Sequence, residues 1–329
     1  MKLSDIGEFA LIERLAAHVH NVEAGEVLIG IGDDAAVWKA GEQYFMATTD
    51  TMVEGVHFLP ATAPWYDVGW KAMAVNVSDV AAMGGWPPYF ALVTLAMPQD
   101  TDVEVADALY EGLADCAREY GAVIVGGDTV RAPQVSISVA LIAGVKLHAR
   151  KPRLLRRDKA QPGDAIAVTG TLGDSAAGLK RLQNGAPAND SLVRRHLRPA
   201  PRPYVGVEAA QRGVLCGIDV SDGLLQDVGH ICERSKVGAV IEADRVPMSD
   251  NLRKAFPKDA LKLACTGGED YELVLVGRPS IIDELINESP SERLAVIGKI
   301  VSDPGHRVRL MGANGEEVRF KPAGWDAFR

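Results

Sequence analysis

Apolar and polar positions alternate between two periods along this chain. In 101–120 the residues at 103, 106, 109, 110, 113, 116 and 120 are apolar, the spacing of an amphipathic helix. Residues 5–18 and 67–83 also read as helices, the second so apolar that Asn76 and Asp79, three apart and on one face, need partners. They are either satisfied by backbone groups or turned toward a site. Short branched runs at 27–31, 43–49, 88–97, 121–129 and 135–145 predict strands.

The stretch 146–163, "KLHARKPRLLRRDKAQPG", is basic, proline-punctuated and without period, and reads as a domain boundary with mostly solvated charges. Beyond it come strands at 164–170, 214–220, 239–242, 270–276 and 294–301, with helices at 174–183, 204–213, 222–235 and 280–287. Residues 184–191 read as a loop, and Ser221 is expected to cap the helix that follows it. Helices and strands mix in both halves, so the expectation is two α/β domains.

Composition narrows the class. The 329 residues are 47% hydrophobic and 24% charged, ordinary for a folded protein. A net charge of −9, from 44 acidic and 35 basic residues, argues against a nonspecific nucleic-acid surface. Cys116, Cys216, Cys232 and Cys265 are scattered and read as reduced and buried. The longest apolar tract, 135–145, is about half a membrane span, so no membrane partner is expected and the cytoplasm is the expected compartment.

The chemical signal is a repeated context. Asp33 and Asp34 in "GDDAAV", Asp50 in "TTDT", Asp79 in "NVSDVAAMGG", Asp128 in "GGDT", and Asp219 and Asp222 in "DVSDG" all sit at element ends beside small residues. Any one of them reads as a cap or turn residue. Together they suit Mg²⁺, which takes a few carboxylates, waters and substrate phosphates. Gly30, Gly32, Gly126 and Gly127 let backbone approach phosphate oxygens. No GxxxxGK[ST], GxGxxG, HRD, DFG or HExxH occurs, and the seven histidines are dispersed.

The segments "GDDAAV", "TTDTMVEGVHF", "NVSDVAAMGG", "GGDT", "PGDAIAVTGTLGDSAAGL", "DVSDGL" and "TGGEDYEL" together resemble the thiamine-monophosphate kinase family, in order from about residue 7 to 325. Several belong to the wider superfamily of aminoimidazole ribonucleotide synthetase and selenophosphate synthetase, whereas "VEGVHF" and the terminal "GWDAF" are narrower. The resemblance implies a two-domain α/β (α+β) fold whose N-terminal mixed sheet pairs in a homodimer. It implies ATP-dependent phosphorylation of thiamine monophosphate to thiamine diphosphate, with several Mg²⁺ ions. Residues 1–146 would bind ATP and Mg²⁺ and dimerise, 147–163 would link, and 164–329 would complete the nucleotide and substrate site.

Residue by residue, Asp33, Thr48, Thr49, Asp50, Asp79, Asp128, Asp219 and Asp222 match metal and nucleotide-phosphate positions. Gly127, Asp128, Arg157 and Ser221 match ATP contacts, and His57, Glu269 and Trp325 match substrate positions. Where the family commonly reads "RSGAKPGD" this chain has "RRDKAQPGD", which leaves Arg156 and Arg157 both open as the ATP contact. No general base is expected, because the acceptor phosphate is largely anionic near pH 7. The rival readings are another ATP-dependent synthetase of the superfamily, of which selenophosphate synthesis is disfavoured by the lack of an early cysteine with a neighbouring lysine, or a nucleotide-binding protein without turnover.

Overall fold

A computed structural model describes residues 2–19 and 26–320, folded around two sheets. The first half runs α1 (Leu3–Val19), β1 (Val27–Ile29), β2 (Ala36–Ala40), β3 (Gln43–Val53), α2 (Trp65–Ala82), β4 (Trp86–Met97), α3 (Val103–Tyr120), β5 (Ala122–Arg131) and β6 (Ser136–Gly144). Its six strands lie in the order β1-β2-β3-β6-β4-β5, antiparallel except for the parallel β4·β5 pair that α3 connects. This is the mixed sheet expected of the first half. The strand expected at 43–49 continues to Val53, because all nine residues from Phe45 to Val53 pair with β6.

A short hairpin, β7 (Leu147–His148) with β8 (Lys151–Pro152), leads into the second half. There follow β9 (Ala165–Val168), α4 (Asp174–Gln183), α5 (Ser191–Leu197), α6 (Pro203–Arg212), β10 (Cys216–Asp219), α7 (Leu224–Ser235), β11 (Gly238–Glu242), α8 (Asp250–Ala255) and α9 (Ala260–Thr266). The chain then forms β12 (Leu273–Gly277), α10 (Pro279–Glu288), β13 (Ala295–Val301), β14 (Val308–Met311) and β15 (Glu317–Val318). The second sheet has the order β10-β12-β9-β13-β11-β14-β15. Its central strands are buried on both faces. Ile166, Val168, Val274 and Val276 pack with α7 and α9 residues on one side; Ala165, Ala167, Leu273 and Leu275 face Val205, Ala209, Ile282 and Leu285 on the other.

Helix α2 is apolar nearly all round because it is covered nearly all round. It packs on α3, β3 and β6 of its own half and reaches α5, α6, β10 and β12 of the other. Two glycines set its distance from α3. A Cβ on Gly69 would stand 1.9 Å from the Leu109 carbonyl oxygen, and one on Gly112 would stand 1.8 Å from that of Tyr66. The helices therefore touch backbone to backbone.

Several expectations need correcting. Ser221 does not cap α7: the helix starts after Gly223, and the Asp227 carboxylate accepts the Gly223 N–H at 2.9 Å. The strand expected from residue 270 begins at Leu273, since Glu269 and Tyr271 hold left-handed φ values of 65° and 52°. Helices α5, α8 and α9 were not expected from periodicity. Each has only six or seven residues, too short for the pattern to show, although Asp190 and Ser249 cap the first two. Within the basic stretch Leu154 and Leu155 are buried, so its middle is packed.

Gly112→Val should destabilise the protein by about 1–3 kcal/mol through overpacking of the α2–α3 contact. Denaturant unfolding of the purified variant checks this; an unchanged midpoint would mean that the two helices separate freely.

Candidate active site between the two sheets

The acidic residues converge where α2 passes from one half to the other. Carboxylate oxygens of Asp34, from the loop before β2, Asp79, from α2, and Asp219, ending β10, all lie within 4.8 Å of one another. Hydroxyls orient two of them. Thr48 Oγ1 donates to Asp79 Oδ2 at 2.6 Å, and Ser78 Oγ donates to Asp219 Oδ2 at 2.5 Å. Asn76, on the same helix, accepts the Asp50 N–H at 3.0 Å and donates to the Ala72 carbonyl, which answers what that buried polar face is for.

Crowding leaves an electrostatic signature. Burial, then the neighbouring Asp34 charge, pushes Asp33 up to about 7 and Asp219 up to about 7. Burial and the charges of Asp50, Asp219 and Asp34 push Asp79 well above the carboxylate range. Arg157 offsets part of this. Its guanidinium pairs with Asp34, its Nε lies 3.9 Å from Asp33 Oδ1, and its backbone N–H donates to the same oxygen at 3.3 Å. Arg156 turns away to Asp158 at 2.7 Å, so of the two arginines only Arg157 faces the carboxylates. From α7, Arg234 crosses to donate to the Gly32 carbonyl at 2.9 Å.

A second group adjoins the first. Asp222, Asp227 and His230 bring their ligand atoms within 4.8 Å of one another, and Gln226 Nε2 donates to Asp222 at 3.0 Å. Asp227 is buried and raised well above the usual range by that burial and by Asp222, while His230 is lowered to about 4 by burial and Arg157. Ser221 contributes its carbonyl, which accepts the Glu269 N–H at 2.7 Å and ties the two loops together.

Glu269 sits beside these loops in a third cluster. Its carboxylate bridges Lys71 Nζ at 2.6 Å and His196 Nδ1 at 3.3 Å. His57 accepts the Val53 N–H on Nδ1 at 3.0 Å, so the neutral ring carries its proton on Nε2, and burial lowers its pKa. Thr49 and Asp50 are exposed along β3. Gly127 and Asp128 do not join the three carboxylates that meet: they lie on β5, where Asp128 is exposed and accepts its neighbour's Thr129 N–H. Gly127 has a packing role of its own, since a Cβ there would stand 1.8 Å from the Val93 carbonyl oxygen. Trp325 lies outside the described residues.

Sequence reasoning overlooked parts of this. Asp34 belongs to the quoted "GDDAAV" yet only Asp33 is carried to the metal set, and it is Asp34 that meets Asp79 and Asp219. Lys71, eight residues before Asp79 on the same helix, was legible as an ionisable residue in an apolar run. His196, Asp227, His230 and Arg234 carried no comparable signal, since their neighbours come from distant elements.

The sequence matches the family AIR synthase related protein, N-terminal domain, over residues 32–145, and the corresponding C-terminal domain over 161–311. It is 40% identical to thiamine-monophosphate kinase of Haemophilus influenzae, over 98% of each chain, and 43% identical to that of Escherichia coli K12 over 81% of each. Among solved structures, AaThiL complexed with AMPPCP and TMP superposes with a TM-score of 0.85 at 33% identity, covering 99% of this chain and 98% of that one. Thiamine-monophosphate kinase from Stenotrophomonas maltophilia K279a gives 0.76 at 38% identity, covering 94% and 98%. By its sequence, its fold and the acidic seam between its two sheets, the chain belongs to the thiamine-monophosphate kinase family.

Proposed function

We propose that this protein transfers the terminal phosphoryl group of ATP to thiamine monophosphate, forming thiamine diphosphate and ADP. The observation that carries the reading is the full-length likeness to a kinase solved with AMPPCP, an ATP analogue, and TMP, in a chain whose carboxylates meet at the seam between its sheets. Synthetase chemistry on another acceptor lacks comparable support. Hydrogenase maturation proteins HypE share the fold at 18–21% identity, and that likeness is one of fold alone.

The donor set fits Mg²⁺. Asp34, Asp79 and Asp219 offer only hard oxygens, and the raised affinity of Asp79 and Asp219 for protons comes first from burial and then from neighbouring carboxylates, whose charge a divalent cation would balance. Asp33, Asp50, Asp222, Asp128 and the oxygens of Thr48 and Thr49 extend the proposed set for several ions. When bound, such ions neutralise the facing phosphates and align attacking and leaving oxygens.

The chain's own residues supply the rest. Ser78 and Thr48 fix the carboxylates they donate to, so little reorganisation accompanies transfer. Arg157, Ser221 and Gly127 serve the nucleotide. In this reading His57, neutral and protonated on Nε2, donates to an anionic phosphate oxygen, and Glu269 and Trp325 bind the thiamine portion. The attacking oxygen of the acceptor phosphate, whose second pKa is about 6, is already anionic near neutrality, so no residue need remove a proton. Transfer is direct, with no covalent intermediate on the protein.

A homodimer completes the reading. Opposite α2 and α3 the first sheet leaves Phe90, Leu92, Val123 and Val125 between 44% and 55% exposed, an apolar face suited to a second copy. Exposed Asp128 is paired in register with Thr94, on the same two strands as those residues. No helix among the described residues is long and apolar enough to cross a membrane. The four cysteines are buried and free, which fits a reducing cytoplasm.

Incubation with ATP, Mg²⁺ and thiamine monophosphate should yield thiamine diphosphate and ADP in equal amounts, and omission of any component should abolish both. Chromatography of the products decides; ADP without thiamine diphosphate would point to another acceptor. Asp222→Ala should lower kcat roughly 100-fold or more while circular dichroism stays unchanged, and full activity with ordinary metal dependence would remove Asp222 from the metal set.

A third expectation concerns the metal-free protein. With Asp33 and Asp219 raised to about 7, the folded state holds more protons than the unfolded chain from about pH 4 to 7, so stability falls as pH rises through that window. Thermal unfolding in chelator should give a lower Tm at about pH 8 than at about pH 5.5, and Mg²⁺ should restore more at the higher pH. A Tm indifferent to both would contradict the cation site.

A further inference from the structure

Glu269 is a proposed substrate contact built into a charged network that spans both halves of the molecule. Its backbone is held in the left-handed region, φ 65°, by the hydrogen bond from its N–H to the Ser221 carbonyl, a conformation a non-glycine residue adopts at some cost. Its side chain is 31% exposed, and its carboxylate oxygens meet Lys71 and His196.

Lys71 is the nearer partner. Its side chain is 5% exposed, and its Nζ lies 2.6 Å from Glu269 Oε1. Among the described residues no hydroxyl or carbonyl satisfies that ammonium, so its compensation is the ion pair. The other groups facing Glu269 cannot replace the charge. His196, 3.3 Å from Oε2 and also bonded to Ser175 Oγ, is lowered to about 3 by burial and by Lys71; His57 is lowered too. Both rings are neutral at physiological pH. The nearby arginines Arg195 and Arg202 are occupied with Glu272.

We propose that Lys71 is a positioning residue for the kinase reaction, holding the Glu269 carboxylate in place to receive thiamine monophosphate. The inference rests on the thiamine-monophosphate kinase reading and adds a residue to it. Burial alone would push the Glu269 carboxyl up; the Lys71 charge is the largest influence in the opposite direction, and the carboxyl stands below its usual range. A fixed, ionised acceptor is therefore ready before substrate arrives. Lys71 also lies on α2, two turns before Asp79. One rigid helix thus sets both the acceptor for the substrate and a carboxylate of the phosphate site, which fixes the distance between them.

The test compares wild type, K71M, K71R, E269Q and K71M/E269Q in steady-state assays of thiamine diphosphate formation, varying each substrate in turn. K71M should raise KM for thiamine monophosphate about tenfold or more, as expected for a lost charge-assisted contact, and leave KM for ATP within about twofold. K71R should recover most of the loss. In the E269Q background K71M should add nothing, because Lys71 acts through Glu269. Equal rises in both KM values, or full additivity with E269Q, would overturn the proposal. Should K71M alone fail to fold, the double variant, which leaves no orphan carboxylate, carries the comparison with E269Q: an equal KM supports the coupling and a further rise refutes it. Failure of wild type to make thiamine diphosphate would instead overturn the functional reading on which the proposal stands.

Discussion

Like charges held together set the terms for this molecule. Asp34, Asp79 and Asp219 bring carboxylate oxygens within 4.8 Å of one another, and their mutual repulsion, in a partly dehydrated seam, works against folding. The surrounding structure resists it with a hydroxyl donor for Asp79, another for Asp219, and the Arg157 guanidinium against Asp34. What remains is negative charge directed at a ligand. On the proposed reading, that residual charge is what would hold the cations that accompany the phosphates.

Helix α2 makes the arrangement possible. Its burial against elements of both halves leaves it little solvent face, so the buried polar side chains on it must be spoken for. Asn76 fixes the Asp50 backbone, Ser78 fixes Asp219, Asp79 joins the carboxylates, and Lys71 meets Glu269. Close approach to α3 through Gly69 and Gly112 keeps the helix from shifting, and its contacts with α6 and β10 tie it to the second sheet. Positional precision in the site is thus a property of helix packing rather than of flexible loops.

The loops that do contribute are bound to each other. Glu269 and Tyr271 adopt left-handed conformations and donate their N–H groups to Ser221 and Val220, while Asp227 takes the Gly223 N–H where α7 begins. The loop that carries Ser221 and Asp222 and the loop that carries Glu269 are therefore joined backbone to backbone. Division of labour follows: the first half and α2 carry most of the carboxylates, and the second half carries the paired loops.

Much of this was legible in the chain. Amphipathic spacing over 101–120, branched runs for the buried strands and the recurrence of aspartate beside small residues are local patterns, and local patterns survive in one dimension. They disclosed the fold class, most long elements and, through motif resemblance, the chemistry. Only the tertiary structure decided which aspartates meet, that Arg157 rather than Arg156 faces them, that Asp227 rather than Ser221 secures the start of α7, and that Lys71 on α2 finds Glu269 across the seam. The reason is physical. Periodicity reports which side of an element is buried, but an ion pair between residues about 200 positions apart depends on how two separately folded sheets are clamped around one helix, and no local pattern encodes that distance.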